Sequence, residues 1–505
     1  MQFSEEQIIA QNKYIQRQNI FITGPGGTGK TALIKHIQKD AVIKGLNIHV
    51  CALTGCAAVL LDCKAKTLHS WAAIGLGTLP VDQLITKINK NRFAKANWKT
   101  TDILVVDEVS MMSQKLFELL DAIGKSIRRN SRPFGGLQLI FSGDFYQLPP
   151  VGNRDDIEST NFCFESLLWH ETFTLENHIQ LTKIFRQSDP IYQNILNQLR
   201  EGRLKRSSND ILLALVQKRV PDDMPIRPTK LFPTRNKVDN INLTEMSKLE
   251  TEEHIYKLKF HIDMEMNAKE RMLRQQFSKE QMESELMYLK GNLRCDELLK
   301  LKIGAQVMCI VNIELDNGNM ICNGSQGVIV RLTEHGLPVV RYKLAPNQGL
   351  YEMTMAPHVW TSDNIPGIGV SQIPLILAWA LTIHKSQGAT LEHAEIDAGS
   401  NIFECGQTYV ALSRVKSLEG LYLASFDASK IKINRRVQHF YINLSLQSGL
   451  QPDQSKGYNE VRAKSETQEV RDKPNGQVET PEIIEAVAVT TAVAIAIPIV
   501  IATPI

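Results

Sequence analysis

The segment GPGGTGKT at residues 24–31 has the residue types and the spacing of a loop that binds phosphate groups. The ammonium group of Lys30 can reach the β- and γ-phosphates of a nucleotide, and the hydroxyl group of Thr31 can bind Mg²⁺. Pro25 and Thr28 separate the glycines, whose backbone N–H groups can turn inward around phosphate oxygens: Gly24, Gly26, Gly27 and Gly29. The segment therefore predicts a site for ATP and Mg²⁺.

Two further apolar runs end in side chains that suit phosphoryl transfer. The run DILVV is followed by Asp107 and Glu108. Asp107 fits as the carboxylate that acts on Mg²⁺, and Glu108 can act as the general base that polarises the attacking water. The run LQLIF is followed by SGDFYQ, in which Gln147 is placed to sense the γ-phosphate and the water. Paired carboxylates are also common at solvated strand ends, but the upstream loop favours the catalytic interpretation.

These side chains lie in a region, residues 1–180, in which strand-like apolar runs alternate with helical stretches. The strand-like runs are NIFIT, NIHVCAL, DILVVD and LQLIFSG. Such alternation predicts an α/β fold with a parallel sheet that helices cover on both faces. Ligands of these folds bind at the carboxyl ends of the strands, where the loop and the carboxylates are expected.

A second alternating region is interrupted by two insertions and followed by a polar tail. The first insertion has apolar residues at near-helical spacing, and the second is rich in Gly, Val and Asn, which favours a small β-barrel. The tail has too few apolar residues to offset the entropy of ordering. The predicted boundaries are 1–180 for the first α/β domain, 181–250 with 371–445 for the second, 251–300 for the helical insertion, 301–370 for the β-barrel insertion and 446–505 for a disordered tail.

The composition is that of an ordinary globular protein, with 505 residues, 43% of them hydrophobic and 22% charged. The net charge of +3 is compatible with a nucleic-acid partner without requiring one. The eight cysteines include no CxxC pair, so reduced thiols are expected rather than a metal site. The N-terminal sequence MQFSEEQ lacks the basic and apolar character of a targeting peptide. An intracellular, soluble protein is predicted, with nuclear and cytoplasmic locations both open.

The last twenty residues, AVAVTTAVAIAIPIVIATPI, carry no charge and are just long enough to cross a bilayer. Pro498, Pro504 and the threonines weaken a membrane-spanning helix. A low-complexity apolar tail is the favoured interpretation, and membrane contact stays open as the alternative.

Most of residues 1–445 resemble the Pif-type DNA helicases of superfamily one, in its 5′-to-3′ branch, which are relatives of the RecD-like helicases. The matching motifs are SEEQ, GPGGTGKT, TGCAAVLL, TLHSW, DEVSMMSQKLFELL, GDFYQLPPV, IFRQSDP, GAQVM, NGSQG, LAWALTIHKSQGATL and GQTYVALSRV. The resemblance implies two RecA-like parallel-sheet P-loop domains that carry the β-barrel and helical insertions. It also implies an ATP- and Mg²⁺-dependent helicase that moves 5′ to 3′ on single-stranded DNA, with roles in replication, repair, recombination or telomere maintenance.

The resemblance gives further residues a role at the nucleotide. Gln7 matches the glutamine that reads adenine, although Ser4 and Gln7 also have the spacing of a helix capping box. Arg186 and Arg414 match arginines that reach across a cleft to stabilise the γ-phosphate as it leaves. The catalytic set implied in this way is Lys30, Glu108, Gln147, Arg186 and Arg414.

Apart from one glycine, the positions that match DNA contacts carry hydrogen-bonding side chains, one of them a cation, which suit phosphate oxygens and carry no base information. A histidine that is simply hydrogen-bonded within its loop is the alternative for two of them. The DNA-binding residues implied are Thr54, Gly55, His69 and Ser70 in the first domain, and Thr382, His384, Lys385 and Ser386 in the second.

The expected partners are single-stranded DNA and duplexes with a 5′ tail, and single-strand-binding or replication proteins are further candidates. Two other functions stay open. One is a module that binds or remodels single strands and uses ATP as a conformational switch. The other is a RecD-like subunit of a nuclease complex, which would need a partner because the sequence shows no cluster of nuclease carboxylates.

Overall fold

The structure of the chain, a computed structural model, describes residues 3–447 apart from 62, 64, 76, 154, 222, 223, 225, 294, 316–319, 322, 344–349, 363 and 364. The predicted disordered tail beyond residue 447 and its apolar end at 486–505 lie outside the described residues. Among the helices within that described part, none is both long enough and apolar enough to cross a bilayer.

The first region contains a six-stranded sheet in which every pair of neighbours is parallel. Its order is β3-β2-β4-β5-β1-β6. Because β1, β4 and β5 lie in the middle of the sheet, the segments that follow them meet at one edge. The strands are β1 Ile20–Thr23, β2 Ile48–Ala52, β3 Lys66–Thr67, β4 Ile103–Asp107, β5 Gln138–Ser142 and β6 His178–Gln180.

Continuous apolar runs form these central strands because both faces of the sheet are buried. Along β4, Leu104 and Val106 belong to the core on one face, whereas Ile103 and Val105 belong to the core on the other. The surrounding helices are α1 Glu5–Ile15, α2 Lys30–Ile43, α3 Gly55–Leu61, α4 Leu68–Ala72, α5 Val81–Lys90, α6 Arg92–Thr100, α7 Gln114–Arg128, α8 Ile157–Thr160 and α9 Leu168–Thr172.

The next segment leads into the second region and the insertions. Asp189 caps α10 by accepting the N–H of Ile191, and Pro190 occupies the first turn, where its missing N–H costs nothing. The elements are α10 Pro190–Glu201, α11 Arg206–Val216, β7 Thr229–Phe232, α12 Arg235–Ser247, β8 His254–Lys257, β9 Lys259–His261, α13 Ala268–Arg274, α14 Lys279–Asn292 and β10 Leu298–Leu301.

The predicted helical insertion, 251–300, thus contains two helices and also three short strands. The strands are held by partners: β8 pairs with β10, and β9 joins a strand that lies far along the chain. The helices are not one continuous packing helix, because Ser278 caps a new helix at α14. Met272, one of the apolar residues at helical spacing, is exposed.

The remaining insertion is built of antiparallel strands, and its largest sheet has the order β16-β15-β14-β11-β19. A second sheet, β17-β18-β9, packs beside α14 through Leu286 and Val370. The strands are β11 Gln306–Cys309, β12 Ile313–Glu314, β13 Met320–Ile321, β14 Gln326–Leu332, β15 Pro338–Lys343, β16 Leu350–Thr354, β17 His358–Thr361, β18 Gly369–Gln372 and β19 Leu375–Leu377.

The second region forms a four-stranded parallel sheet with the order β20-β7-β21-β22. It brings β7 together with strands that follow it by about 150 residues or more, because both insertions leave the chain between them. Its last elements are β20 Ala380–Thr382, β21 Ala394–Ala398, α15 Gln407–Leu412, β22 Leu421–Phe426 and α16 Arg435–Gln447. The α/β fold with two parallel sheets is confirmed.

Helix α16 differs from the predicted division of the chain. The predicted second domain extends to residue 445, yet Val437, Tyr441 and Leu444 are buried in the core of the first region. The apolar face of α16 is therefore satisfied by the first sheet, not the second. The predicted domain boundaries otherwise stay a prediction.

Candidate functional site

The loop at residues 24–31 connects β1 to α2 at the carboxyl edge of the first sheet. Gly27 and Gly29 have φ values of 88° and 82°, in the left-handed region that glycine tolerates best. A Cβ at Gly27 would lie 2.6 Å from Cβ of Arg186, and one at Gly29 would lie 2.7 Å from Nε2 of Gln7. The chain can form this tight turn because both positions are glycine, which has no side chain to clash.

The loop carries its own cation. Lys30 Nζ donates to the carbonyl oxygens of Gly24 and Pro25 at 2.7 and 3.0 Å. Burial lowers the pKa of Lys30, against the opposing effect of the carboxylates of Asp144, Glu108 and Asp107. A partly buried ammonium surrounded by carbonyls can exchange them for phosphate oxygens. Thr28 is buried and donates its hydroxyl proton to Pro25 O at 2.9 Å, which stiffens the turn, whereas Thr31 is exposed.

Gln7 caps helix α1 and also contacts the phosphate loop. Its N–H donates to Ser4 Oγ at 3.4 Å, and its Oε1 accepts the Ser4 N–H at 2.9 Å, which completes a capping box at α1. Its Nε2 donates to Thr28 O in the phosphate loop at 3.3 Å. The structure therefore places the predicted adenine-reading residue against the loop.

The carboxylate pair follows β4 directly. Asp107 is buried and its Oδ1 accepts the N–H of Glu108 at 2.9 Å. Glu108 has φ 57° and ψ 39°, a left-handed conformation that is strained for a residue with a side chain. Burial raises the pKa of Asp107, and burial together with the Asp107 charge raises the pKa of Glu108 to about 7. A carboxylate with this pKa can both take up and release a proton near neutral pH.

The segment after β5 carries Asp144 and Gln147, and both are buried. The Gln147 N–H donates to Asp144 O at 2.8 Å. Gln147 Oε1 has no hydrogen-bond partner within the described chain, although it is shielded from solvent. A buried polar atom without a partner suits a residue that contacts a ligand.

Two arginines from beyond the first sheet lie over the loop. Arg186 donates from Nη1 to Ser413 O at 3.1 Å, and Arg414 donates from Nε to Val410 O at 2.9 Å. Burial lowers the pKa of both, and the neighbouring Arg414 charge helps to lower that of Arg186 to about 9. Glu108 is the carboxylate that most opposes this effect at Arg414. With Lys30, these groups form a concentration of positive charge that an anion would neutralise.

The oxygen donors beside the loop fit Mg²⁺. Thr31 offers an exposed hydroxyl and Asp107 a carboxylate, and Mg²⁺ is commonly held by one or two protein oxygens together with nucleotide phosphates and water. No cluster of three or more His, Cys, Asp or Glu side chains suited to a metal occurs among the described residues. The described residues thus fit a metal that arrives with a nucleotide better than one held by the protein alone.

The residues of the first domain that are predicted to contact DNA lie around a cavity of about 1060 Å³. Gly55, His69 and Ser70 line this cavity, and α13 and α14 form its opposite wall. Two contacts join the walls: the rings of Phe93 and Phe277 stack at 4.1 Å, and the hydroxyls of Thr67 and Tyr288 lie 2.6 Å apart. Thr54 lies just before α3, where its Oγ1 accepts the N–H of Ala57 at 3.1 Å. Burial lowers the pKa of His69.

The predicted contacts of the second domain lie on the turn that follows β20. Thr382 Oγ1 accepts the N–H of Lys385 at 3.1 Å, and the Lys385 side chain is exposed. Burial lowers the pKa of His384. Ser386 is fully buried and donates its hydroxyl proton to Ile383 O at 2.8 Å, so in this conformation it supports the turn and is not on its surface.

Two residues near the reactive groups were missed at the sequence level. The side-chain amide of Gln387 lies close enough to Glu108 to favour its ionised form, which opposes the rise in the pKa of Glu108. The Tyr409 hydroxyl accepts the N–H of Gly26 at 2.8 Å. Both lie inside motifs already quoted, HKSQG and QTYVALSR, but their contacts join residues more than 270 positions apart. Local spacing carries no signal for such pairs.

Together, two parallel sheets and a candidate nucleotide site between their edges define a P-loop protein with a split site. The model of the PIF1-like helicase family matches residues 4–210, and that of the DNA helicase Pif1 2B domain matches residues 288–332. The chain belongs to the PIF1-like helicase family.

Individual relatives agree with this assignment. The ATP-dependent DNA helicase PIF1 of Emericella nidulans is 35% identical over 483 residues, covering 85% of this chain and 61% of the relative. The chain thus spans less than two thirds of that relative's length. The crystal structure of Pif1 helicase from Candida albicans has a TM-score of 0.69 and 33% identity, with 88% of this chain and 100% of that chain covered. Pif1 helicase from Bacteroides in complex with ADP-AlF3 and ssDNA has a TM-score of 0.61 and 28% identity, with 89% and 99% covered.

Proposed function

We propose that this chain is an ATP-dependent DNA helicase that moves 5′ to 3′ along single-stranded DNA and separates duplex or structured DNA. One observation carries the proposal: Lys30, Arg186 and Arg414 concentrate positive charge over a phosphate-binding loop, beside the Asp107 and Glu108 carboxylates. Such a set matches the charge distribution of a phosphoryl group in transfer. The Bacteroides relative with ADP-AlF3 and ssDNA supports the same pairing of ligands.

Each residue has a part in the proposed reaction. The loop N–H groups and Lys30 hold the β- and γ-phosphates, and Glu108 accepts a proton from the attacking water. Gln147 orients that water, and Arg186 and Arg414 stabilise the charge that develops as the bond to the γ-phosphate breaks. Mg²⁺, held by Thr31 and Asp107, would supply further neutralisation of the phosphate oxygens. Because the arginines come from outside the first sheet, hydrolysis would alter how the two sheets are held together.

The direct test replaces Lys30 by Ala. DNA-stimulated ATP hydrolysis should fall by about 10²-fold to 10³-fold, because a cation is lost from the transferring group. Binding of single-stranded DNA should be largely retained. Lys39→Ala, on an exposed position of the same helix α2, is the matched control and should hydrolyse ATP normally. ATP hydrolysis near the wild-type rate in the Lys30 variant would refute the site.

The polarity and the strand separation need their own measurement. Unwinding is compared on duplexes with 5′ and 3′ tails, with and without ATP. ATP-dependent release only from the 5′-tailed duplex is expected. Stimulated ATP hydrolysis without strand release would favour the ATP-switched binding module, and release only with a nuclease partner would favour the RecD-like subunit.

A further inference from the structure

Tyr409 contacts the phosphate loop but has no part in the proposed chemistry. It lies in α15, is buried, and its hydroxyl accepts the N–H of Gly26 at 2.8 Å. The same hydroxyl donates to Asp144 Oδ2 at 3.3 Å. One side chain from the second region therefore joins the phosphate loop to the segment after β5.

Asp144 extends this link to two other helices. Arg200, in α10, donates from Nε and Nη2 to the two carboxylate oxygens of Asp144 at 2.9 and 2.8 Å. Tyr441, in α16, places its hydroxyl 3.3 Å from Asp144 Oδ1 and 2.6 Å from Thr23 Oγ1. The Arg200 guanidinium also lies over the Tyr441 ring at 5.0 Å. The Asp144 pair is a buried, bidentate ion pair, so its geometry is firmly set by its partners.

The Gly26 contact matters because of what the loop binds. The N–H groups of such a loop are the donors that phosphate oxygens take. Gly26 is partly buried, and an N–H group that is shielded from water costs free energy when it loses its partner. Tyr409 supplies the partner in the structure described here, and a phosphate oxygen is the natural replacement.

Tyr409 is also coupled to the second arginine. Arg414 follows α15 by two residues, and its Nε bonds to Val410 O, the carbonyl next to Tyr409. Arg414 Nη2 donates to Ser413 Oγ at 2.8 Å. The contact of Tyr409 with the phosphate loop and the contact that holds the Arg414 guanidinium thus lie on one short helix.

We propose that Tyr409 is a positioning residue that holds the place of a phosphate oxygen at Gly26 when no nucleotide is bound. Arrival of the nucleotide displaces the hydroxyl from Gly26, leaves it on Asp144, and lets α15 bring Arg414 to the γ-phosphate. The inference rests on the proposed function, because it requires residues 24–31 to bind phosphate. Tyr409 would thus make nucleotide binding compete with a contact between the two regions.

Tyr409→Phe tests the competition while keeping the ring and its packing. Without the hydroxyl, Gly26 N–H has no partner in the nucleotide-free protein but gains one when phosphate binds. The dissociation constant for ADP with Mg²⁺ should therefore fall by about fivefold or more. The turnover number for ATP should fall together with KM, because Arg414 is less well placed.

Tyr441→Phe is the matched control, since it removes a hydroxyl from the same Asp144 carboxylate, and the N–H that this hydroxyl accepts is that of Phe145 and not one of the phosphate loop. It should lower the melting temperature without tightening ADP binding. A role of Tyr409 in stability alone predicts that both variants bind ADP equally well or more weakly than wild type, and that result would overturn the inference. Failure of the wild-type protein itself to bind ADP would instead refute the proposed function and the inference with it.

Discussion

At the carboxyl edge of the first sheet, charged side chains are packed against one another, whereas the residues predicted to contact DNA lie near a cavity of about 1060 Å³ or on the turn at the end of β20. Lys30, Glu108 and Arg414 all have pKa values displaced by burial. Among the residues predicted to contact DNA, Thr54 and Thr382 accept hydrogen bonds from the backbone N–H groups of nearby residues, Ala57 and Lys385. The nucleotide edge thus concentrates buried charge, whereas the predicted DNA contacts carry local hydrogen bonds and one exposed cation, Lys385.

This difference has an energetic meaning. A buried charge interacts strongly with a developing charge, so the loss of one group at the nucleotide edge should have a large effect. Contacts to a sugar-phosphate backbone are exposed, numerous and screened by salt, so each should contribute little. Three experiments test whether the nucleotide edge and the predicted DNA contacts differ in this way.

The largest effect is expected for Arg414→Ala. Removal of the guanidinium should lower the turnover of ATP by about 10³-fold and change ATP affinity much less, since the group acts on charge that develops in the transition state. Steady-state hydrolysis and an equilibrium titration separate the two quantities. Arg206→Ala, an exposed arginine at the start of α11, is the control and should match wild type. A selective loss of nucleotide binding would contradict the assigned role.

A smaller effect is expected for pH. The pKa of Glu108 is raised to about 7, so the carboxylate is protonated below that pH and cannot accept a proton from water. The kcat/KM for ATP should therefore fall by about tenfold between pH 8 and pH 6, because this parameter reports the free enzyme. Gln387→Leu should move the midpoint to higher pH, since the nearby Gln387 amide favours the ionised form of Glu108. A flat profile over this range would count against Glu108 as the base.

The smallest effect is expected for a residue that is predicted to contact single-stranded DNA. Lys385→Ala removes one exposed cation, so the affinity for single-stranded DNA should fall by only a few-fold. The slope of log affinity against log salt concentration should become shallower by about one, the value of one phosphate contact. Fluorescence titrations at several salt concentrations measure both quantities. Lys248→Ala, an exposed lysine after α12 that pairs with Glu245, is the control. An effect as large as that of Arg414→Ala would remove the contrast between the nucleotide edge and the predicted DNA contacts.

The sequence predicted the fold class and the family, both of which are confirmed. The alternation of apolar runs was enough for the first sheet, because β1, β4 and β5 are buried on both faces and read as continuous apolar segments. The short strands β8 and β9 were missed, because they exist through pairing with distant partners and carry a weak local pattern. The roles assigned to individual site residues stay predictions that the proposed variants test.

What the sequence determined by itself is the local chemistry: a glycine-rich loop that ends in Lys30 and Thr31, and a carboxylate pair after an apolar strand. Residue type and short spacing are sufficient for these, because neighbours in the chain must be neighbours in space. Only the tertiary structure decided that Tyr409 meets Gly26, that Arg200 and Tyr441 meet Asp144, and that α16 packs on the first core. These contacts join residues 56 to 383 positions apart, and their formation depends on how whole sheets and helices pack, which no local pattern records.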